Sequence, residues 1–430
     1  MMSLPLGLRA YRGMTHCLEP FARLFLLRRA GKGKEDRTRL GERRGESTRG
    51  RPVGHLVWLH GASVGEVLSL LPVVEELAAQ DISVLVTSGT VTSAQVLEHR
   101  LPPGALHQFV PLDLPHSVER FLQHWRPDLI LFAESELWPN LLLAGKRRKI
   151  PMLLLNARMS ERSFRRWQRF GATAKYLLSL FDKCLTQTST DAERLMRLGA
   201  TRVAVTGNLK FDSSAPPAPH MKLSALKALI GSRPVWLAAS THDGEEEAIL
   251  KTHLNLSAYF PDLLTIIAPR HPERGKAVAA LATRAGLQGS LRSAGLVPDS
   301  ATDIYIADTI GELGMFFRLS PIVFMGGSLV PHGGQNPIEP AKLGCALLHG
   351  PHVHNFSEVY AVLGKSGGAV PILEPDMLTE AVGNLLDHPA EIRRMAQAAE
   401  EAISQFGGAV GRTMAEIAPF LVRMHLNAQR

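Results

Sequence analysis

Twice along this chain, short uninterrupted apolar runs alternate with helix-length stretches, and that rhythm limits the possible folds more than any other feature. In the first half the apolar runs are Leu56–Leu59, Ser83–Thr87, Leu129–Ala133, Met152–Leu155, Lys183–Thr186 and Val203–Thr206. Helical patterns such as Val67–Ala79 and Ser117–His124 lie between them. Strands that are apolar throughout are buried on both faces, as in a parallel sheet covered by helices. The segment Asp212–His220 carries three prolines among serines and alanines and reads as a linker. The rhythm then restarts. Val235–Ala239, Leu264–Ala268, Asp303–Ala307, Ile322–Met325 and Ala346–His349 are expected strands. Glu245–Leu254, Arg274–Ala285, Gly311–Phe317, Pro337–Leu343, Leu378–Gln405 and Met414–Leu426 are expected helices. A length of 430 residues also favours two domains over one. The expected architecture is α/β, with two doubly wound Rossmann-like domains whose strand carboxyl ends border an interdomain cleft.

The formal charge of +8 is informative because of where it sits. Residues 1–51 hold 13 Lys and Arg against 5 Asp and Glu, which is the whole excess; the remainder balances. A basic surface for nucleic acid is therefore not expected. The first 27 residues interleave apolar clusters (Leu4, Leu6, Leu8; Phe21, Leu24–Leu27) with Arg9, Arg12 and Arg23. No stretch reaches the ~20 apolar residues of a spanning helix. The pattern fits a helix lying in a membrane interface, followed by a basic tether, Arg28–Arg51, for anionic lipid; a core-packed or disordered segment is the alternative. The three cysteines form no C-x-x-C pair and the histidines show no ligand spacing, so disulfides and a structural metal are not expected.

Polar motifs fall where the apolar runs end. His60 and Ser63-x-x-Glu66 follow the first. Glu66 reads either as half of a capping box or as a general base at a helix N-terminus whose dipole keeps it ionised. Glu134-Ser135-Glu136 follows Leu129–Ala133; the two acids either pair with the basic run Lys146–Lys149 or serve a substrate. Arg158 and Lys210 end two further strands and suit an acidic ligand. In the second half, Ser240 or Thr241 can cap a helix opened by Glu245–Glu247. Arg270, between Pro269 and Pro272, is a rigidly placed cation suited to a phosphate. Asn336-Pro337-Ile338-Glu339 opens a helix after the Gly333-Gly334 turn, with Asn336 as cap and Glu339 able to accept ribose hydroxyls. Neither a P-loop nor a G-x-G-x-x-G fingerprint accompanies these turns, which excludes the usual ATPase and dehydrogenase readings.

Taken in order, HGASVGE (60–66), ESELWPN (134–140), NARMSERS (156–163), GNLKFD (207–212), ASTHDGEEE (239–247), PRHPER (269–274), DTIGEL (308–313) and GGQNPIEP (333–340) resemble the bacterial 3-deoxy-D-manno-octulosonic acid (Kdo) transferase family over roughly Leu56–Leu421. That resemblance implies a GT-B glycosyltransferase that moves Kdo from CMP-Kdo to a lipid A precursor (lipid IVA), with inversion and without a metal or other cofactor. It implies Glu66 as general base, and Glu136 and Lys210 as groups that stabilise the transition state. It places CMP-Kdo on Pro269, Arg270, Gly311, Glu312, Leu313, Asn336, Pro337, Ile338 and Glu339; His60, Ser63, Arg158 and Ser240 are further expected contacts. The domain expectation is a membrane-associating arm (1–51), an acceptor domain (52–214), a linker (215–222), a CMP-Kdo domain (223–410), and a C-terminal helix (411–430) packing back on the first domain. The arm is expected to attach the enzyme to the cytoplasmic side of the inner membrane. Two rivals share parts of this pattern. A sugar-nucleotide epimerase would show epimerisation without Kdo transfer. A non-enzymatic sugar- or lipid-binding protein would keep its function in Glu66→Gln.

Overall fold

A computed structural model describes residues 4–212 and 215–428. The chain separates into two units, one made of residues 1–213 and 406–430 and the other of residues 214–405. Ser214, at the expected boundary, lies outside the described residues.

The first unit holds seven parallel strands: β1 (Leu56–His60), β2 (Ser83–Ser88), β3 (Ala105–Phe109), β4 (Leu129–Ala133), β5 (Met152–Ala157), β6 (Lys183–Thr186) and β7 (Val203–Val205). Their order is β3-β2-β1-β4-β5-β6-β7. Alternate side chains serve opposite faces, as the two-residue period requires. Leu56 and Trp58 join Phe121, Trp125 and Phe132 on one side. Val57 and Leu59 join Val67, Leu70 and Leu77 on the other. That second face is completed by Ala409, Ile417, Leu421 and Met424 of the helix Ala409–Ala428, which returns from the end of the chain.

The second unit repeats the plan with β8 (Val235–Thr241), β9 (Leu264–Pro269), β10 (Gly289–Leu291), β11 (Ile304–Ile306), β12 (Ile322–Met325), β13 (Ala346–His349) and β14 (Ala369–Pro371). The order is β10-β11-β9-β8-β12-β13-β14, again all parallel. In both sheets the order reverses beside the first strand of the unit, β1 in one and β8 in the other. That is the switch point at which such sheets place ligands.

Three strands carry no apolar signal. β3 contains His107 and Gln108, both buried. They are satisfied by Ser88 Oγ, 2.9 Å from His107 Nε2, and by Trp125 Nε1, which donates to Gln108 Oε1 at 2.8 Å. β10 and β14 are three-residue edge strands, and β14 ends in Pro371, which an edge tolerates. The expected long helix 378–405 is two helices, Met377–Asp387 and Pro389–Ser404. The residue before a proline is pushed out of the helical region, and His388 has ψ 76°.

The N-terminal segment differs most from expectation. Helices Leu6–Leu18 and Ala22–Gly31 lie against the first unit, anchored by buried Leu8, Ala22, Leu26 and Ala30. Burying Leu8 alone contributes about 2 kcal/mol. Tyr11 Oη donates to Asp113 at 2.9 Å, and Asn140 donates to Thr15 Oγ1 at 3.1 Å. Residues 28–51 are not a free tether. Glu35 is buried between Arg29 and Arg43, at 2.8 and 2.9 Å. Arg39 pairs with Glu42, Arg44 with Glu46, and Arg51 with Asp128. Glu35 draws Arg43 inward, where each buried charge needs a partner, while Arg28, Lys32, Lys34, Arg37 and Arg49 stay exposed. No helix among the described residues is long and apolar enough to cross a membrane.

Candidate active site

At the carboxyl end of the first sheet the chain turns sharply. Gly89, after β2, sits where a Cβ would lie 2.7 Å from the carbonyl oxygen of Ala62, so only glycine lets the two loops touch. Ser63 then caps the helix Val64–Ala78. Glu66, in its first turn, accepts from Ala62 N–H at 2.7 Å and from Ser63 Oγ at 2.8 Å. The capping reading is thus correct in outline, but Glu66 reaches one residue further back than the usual box, and its carboxylate stays part-exposed. The dipole does not set its titration. Burial raises its pKa, and the nearby Glu136 raises it further, against the opposing pull of Ser63 and Ala62. A carboxylate raised in this way is a better proton acceptor near neutral pH than a free one.

Glu134 and Glu136 do not pair with the 146–149 run, whose Arg147 and Arg148 instead hold Glu119. Glu134 has a left-handed φ of 48° and lies 2.9 Å from Lys210 Nζ. Glu136 lies 3.5 Å from His60 Nε2 and accepts from Trp138 Nε1. Burial alone would lift the Glu136 pKa, but His60 and then Trp138 outweigh it and hold it below the ordinary value. His60 is fully buried, and its other nitrogen is 2.9 Å from Thr87 Oγ1. Lys210 is placed from its backbone as well. Asn156, also left-handed at φ 50°, accepts from Leu209 N–H at 3.0 Å. Arg158 is exposed nearby, and its carbonyl accepts from Ser135 Oγ at 2.5 Å. The structure thus gathers His60, Ser63, Glu66, Glu136 and Lys210 at one sheet edge. Sequence reasoning passed over Glu134 as a partner for Lys210, and over Asn156.

The second unit builds a different edge. Ser240 (φ 57°) is the penultimate residue of β8, and a Cβ on Gly326 would lie 2.6 Å from its carbonyl oxygen, so the ends of β8 and β12 are in contact. Neither Ser240 nor Thr241 caps the following helix. Glu245, fully buried, accepts backbone N–H bonds from His242 (2.9 Å), Gly327 (2.7 Å), Ser328 (3.0 Å) and Leu329 (2.9 Å). One carboxylate thereby fixes the glycine turn. His242 stacks on His332 at 4.2 Å between ring centroids and meets His271 edge-on at 5.9 Å. Burial, with His332, His271, Arg270 and Arg274 adding to it, brings the His242 pKa down to about 4. Arg274 is held by Asp243 and Glu246. Arg270 is exposed and makes no ion pair among the described residues. The expected helix 337–343 is a single turn, Ile338–Ala341, whose N-cap position is Pro337 and not Asn336; Asn336 Oδ1 still accepts from Ile338 N–H at 3.1 Å, and Glu339 is half-buried in that turn. Glu312 is engaged with Arg292, with Thr309 at 2.7 Å and with Lys222 at 3.2 Å, so its carboxylate is committed within the protein. Its neighbours Gly311 and Leu313 flank this knot.

Comparison with known proteins decides the family. A family model described as 3-deoxy-D-manno-octulosonic-acid transferase (kdotransferase) matches residues 38–213. The Haemophilus influenzae 3-deoxy-D-manno-octulosonic acid transferase is 34% identical over 421 residues, covering 96% of this chain and 98% of that protein. The chain belongs to the Kdo transferase family. It is therefore an enzyme, a glycosyltransferase. An Arabidopsis thaliana relative, described as a probable mitochondrial Kdo transferase, is 36% identical, covering 89% of this chain and 88% of that one. Among solved structures, a Rickettsia africae glycosyltransferase matches with TM-score 0.57 and 11% identity, covering 86% of this chain and 99% of that one. A Neisseria meningitidis UDP-GlcNAc 2-epimerase bound to UDP-GlcNAc matches with TM-score 0.54 and 16% identity, covering 86% of this chain and all of that one. At such identities these two structures establish the fold, GT-B, and not the activity.

Proposed function

We propose that this transferase moves Kdo from CMP-Kdo to a sugar hydroxyl of a lipid A precursor, lipid IVA, by a single inverting displacement. Glu66 takes the hydroxyl proton as the oxygen attacks the anomeric carbon. The bond from that carbon to the CMP phosphate breaks, and CMP leaves with the electron pair. Glu136 stabilises positive charge building on the sugar ring, and Lys210, oriented by Glu134, meets the Kdo carboxylate. His60, Ser63, Arg158 and Ser240 border the substrates. The second unit holds the cytidylate. Pro269 and Arg270 sit on its phosphate, Asn336-Pro337-Ile338-Glu339 on its ribose, and the Gly311-Glu312-Leu313 backbone lies alongside, since the Glu312 carboxylate is already occupied. The domain roles expected from sequence are kept in this reading, with 52–214 receiving the acceptor and 223–410 the donor.

Attachment to the cytoplasmic face of the inner membrane falls to the helices Leu6–Leu18 and Ala22–Gly31. Their exposed Leu18, Phe21, Leu24, Phe25 and Leu27 stand beside exposed Arg23 and Arg28. Apolar side chains flanked by cations suit an anionic interface.

The observation that carries the mechanism is the part-exposed Glu66 carboxylate, raised in pKa, next to a second carboxylate held ionised. Pairs of acids pushed apart in this way divide the roles of proton acceptor and charge stabiliser. Mass spectrometry of the lipid product from CMP-Kdo and tetraacyl lipid A precursor tests the activity, and Glu66→Gln tests the base. Turnover is expected to fall about 10²–10⁴-fold in that variant while CMP still binds; Kdo transfer at the parent rate would remove Glu66 from the mechanism.

A further inference from the structure

Where the N-terminal helices meet the first domain, three side chains with metal-ligating atoms converge. His16 lies in the last turn of Leu6–Leu18, Glu19 follows that helix, and His116 is the second residue of the helix Pro115–Trp125. One ligand atom from each lies within 4.8 Å of the other two. Glu19 Oε2 is 2.6 Å from His116 Nδ1, and the His16 ring stacks on that of His116 with centroids 5.4 Å apart. We propose that His16, Glu19 and His116 bind a divalent transition metal of the zinc class, and that the metal clips the N-terminal helix pair to the domain.

The donor set suits the ion. Two imidazoles and a carboxylate are ordinary zinc ligands, with a fourth position left to water. The carboxylate is already oriented, because Glu19 also accepts the backbone N–H groups of His116 (3.0 Å) and Ser117 (3.2 Å) at the start of their helix. Bonds of this kind fix a ligand before the metal arrives, which favours binding. Both imidazoles are exposed, so the ion has an entry path and needs only small side-chain rotations to gather the three atoms. None of the three residues is among the side chains found in contact with Glu66, Glu136 or Lys210. What the site joins is residues 16–19 and residue 116, across about a hundred residues of chain, and closing so long a loop restrains the unfolded chain as well as the docked helices.

The test uses the full chain stripped with a chelator, titrated with Zn²⁺ by calorimetry and with Co²⁺ by visible absorption. One equivalent is expected to bind with micromolar or tighter affinity, raise Tm, and give the intense d–d bands of a four-coordinate Co²⁺ site. His16→Ala and His116→Ala should each weaken Zn²⁺ binding by roughly tenfold or more, with unchanged far-UV circular dichroism. Cys17→Ser, beside the site but outside it, should leave the affinity intact. Absence of a bound equivalent, or the same affinity in both histidine variants, overturns the proposal.

Discussion

At the edge of the first sheet three acids stand together. Glu66, Glu134 and Glu136 gather around one lysine and one buried histidine. At the matching edge of the second sheet stand Arg270, His242, His271 and His332, and the acids there, Glu245 and Glu246, are buried and spent on backbone and arginine. Both edges stand on the same parallel topology with the same reversal beside the first strand. Topology thus fixes where chemistry happens, and the residues at the strand ends fix which chemistry. The first edge can accept protons and stabilise positive charge. The second can receive an anion.

The strongest way to break this contrast is at Glu66. Glu66→Gln keeps the size and the bond from Ala62 but loses the base, and kcat is expected to fall about 10²–10⁴-fold with CMP affinity unchanged. The rate of the parent enzyme should also fall as pH drops through the raised Glu66 pKa, because the proton acceptor is then already occupied. A kcat that stays constant down to the ordinary carboxylate range would contradict that role. Next in size is Glu245→Ala. Four N–H donors lose their acceptor, and a loss of about 3 kcal/mol in the unfolding free energy of the second unit is expected in urea titrations. Arg270→Ala should weaken CMP about 10–100-fold, the worth of one charge-assisted contact to phosphate, with less effect in high salt. Unchanged CMP binding would move the phosphate elsewhere on that edge.

Much of this was legible before any coordinates, for a physical reason. Strands such as Leu129–Ala133 are buried on both faces, so burial writes itself into the sequence as an unbroken apolar run. β3 escaped notice because His107 and Gln108 find buried partners instead of being replaced by apolar residues. At the sites, local spacing showed which strand ends are polar but not which side chains meet. Glu134 and Lys210 are 76 positions apart, and nothing in either segment names the other. Glu245 reads as one of three acids opening a helix; only the glycine turn from β12 makes it a buried anchor. The basic run 28–51 misled in the opposite direction, because a charge count registers its acids but not that Glu35 is buried between Arg29 and Arg43.

Glu312 separates a structural carboxylate from Glu66, the one proposed as base. Its pKa is brought from the usual 4.5 down to about 2, chiefly by Arg292. The folded value lies below the unfolded one, so the stabilisation is fully present above 4.5 and disappears as pH falls toward 2. Glu312→Gln should therefore cost about 2 kcal/mol at neutral pH, after allowance for the solvent that still reaches the pair, and the gap from the parent should close on acidification.

The smallest effect expected is at Glu134, and it sharpens the account of the first edge. Lys210 is oriented twice, by the Glu134 carboxylate on its ammonium and by Asn156 on the backbone before it. If Lys210 meets the negative charge of the donor sugar, Glu134 is a positioning residue that keeps the ammonium aimed without itself touching substrate. Glu134→Gln preserves a hydrogen-bond acceptor and removes the charge. A fall of roughly tenfold in kcat/KM is expected, close to the ~1.5 kcal/mol of one bond to a charged group. Glu134→Asp should recover part of it. The discriminating measurement is the double variant. Once Lys210→Met has removed the ammonium, Glu134→Gln should have almost no further effect, because the two changes act on one interaction. Additive losses would mean that Glu134 serves the reaction by a route that does not pass through Lys210.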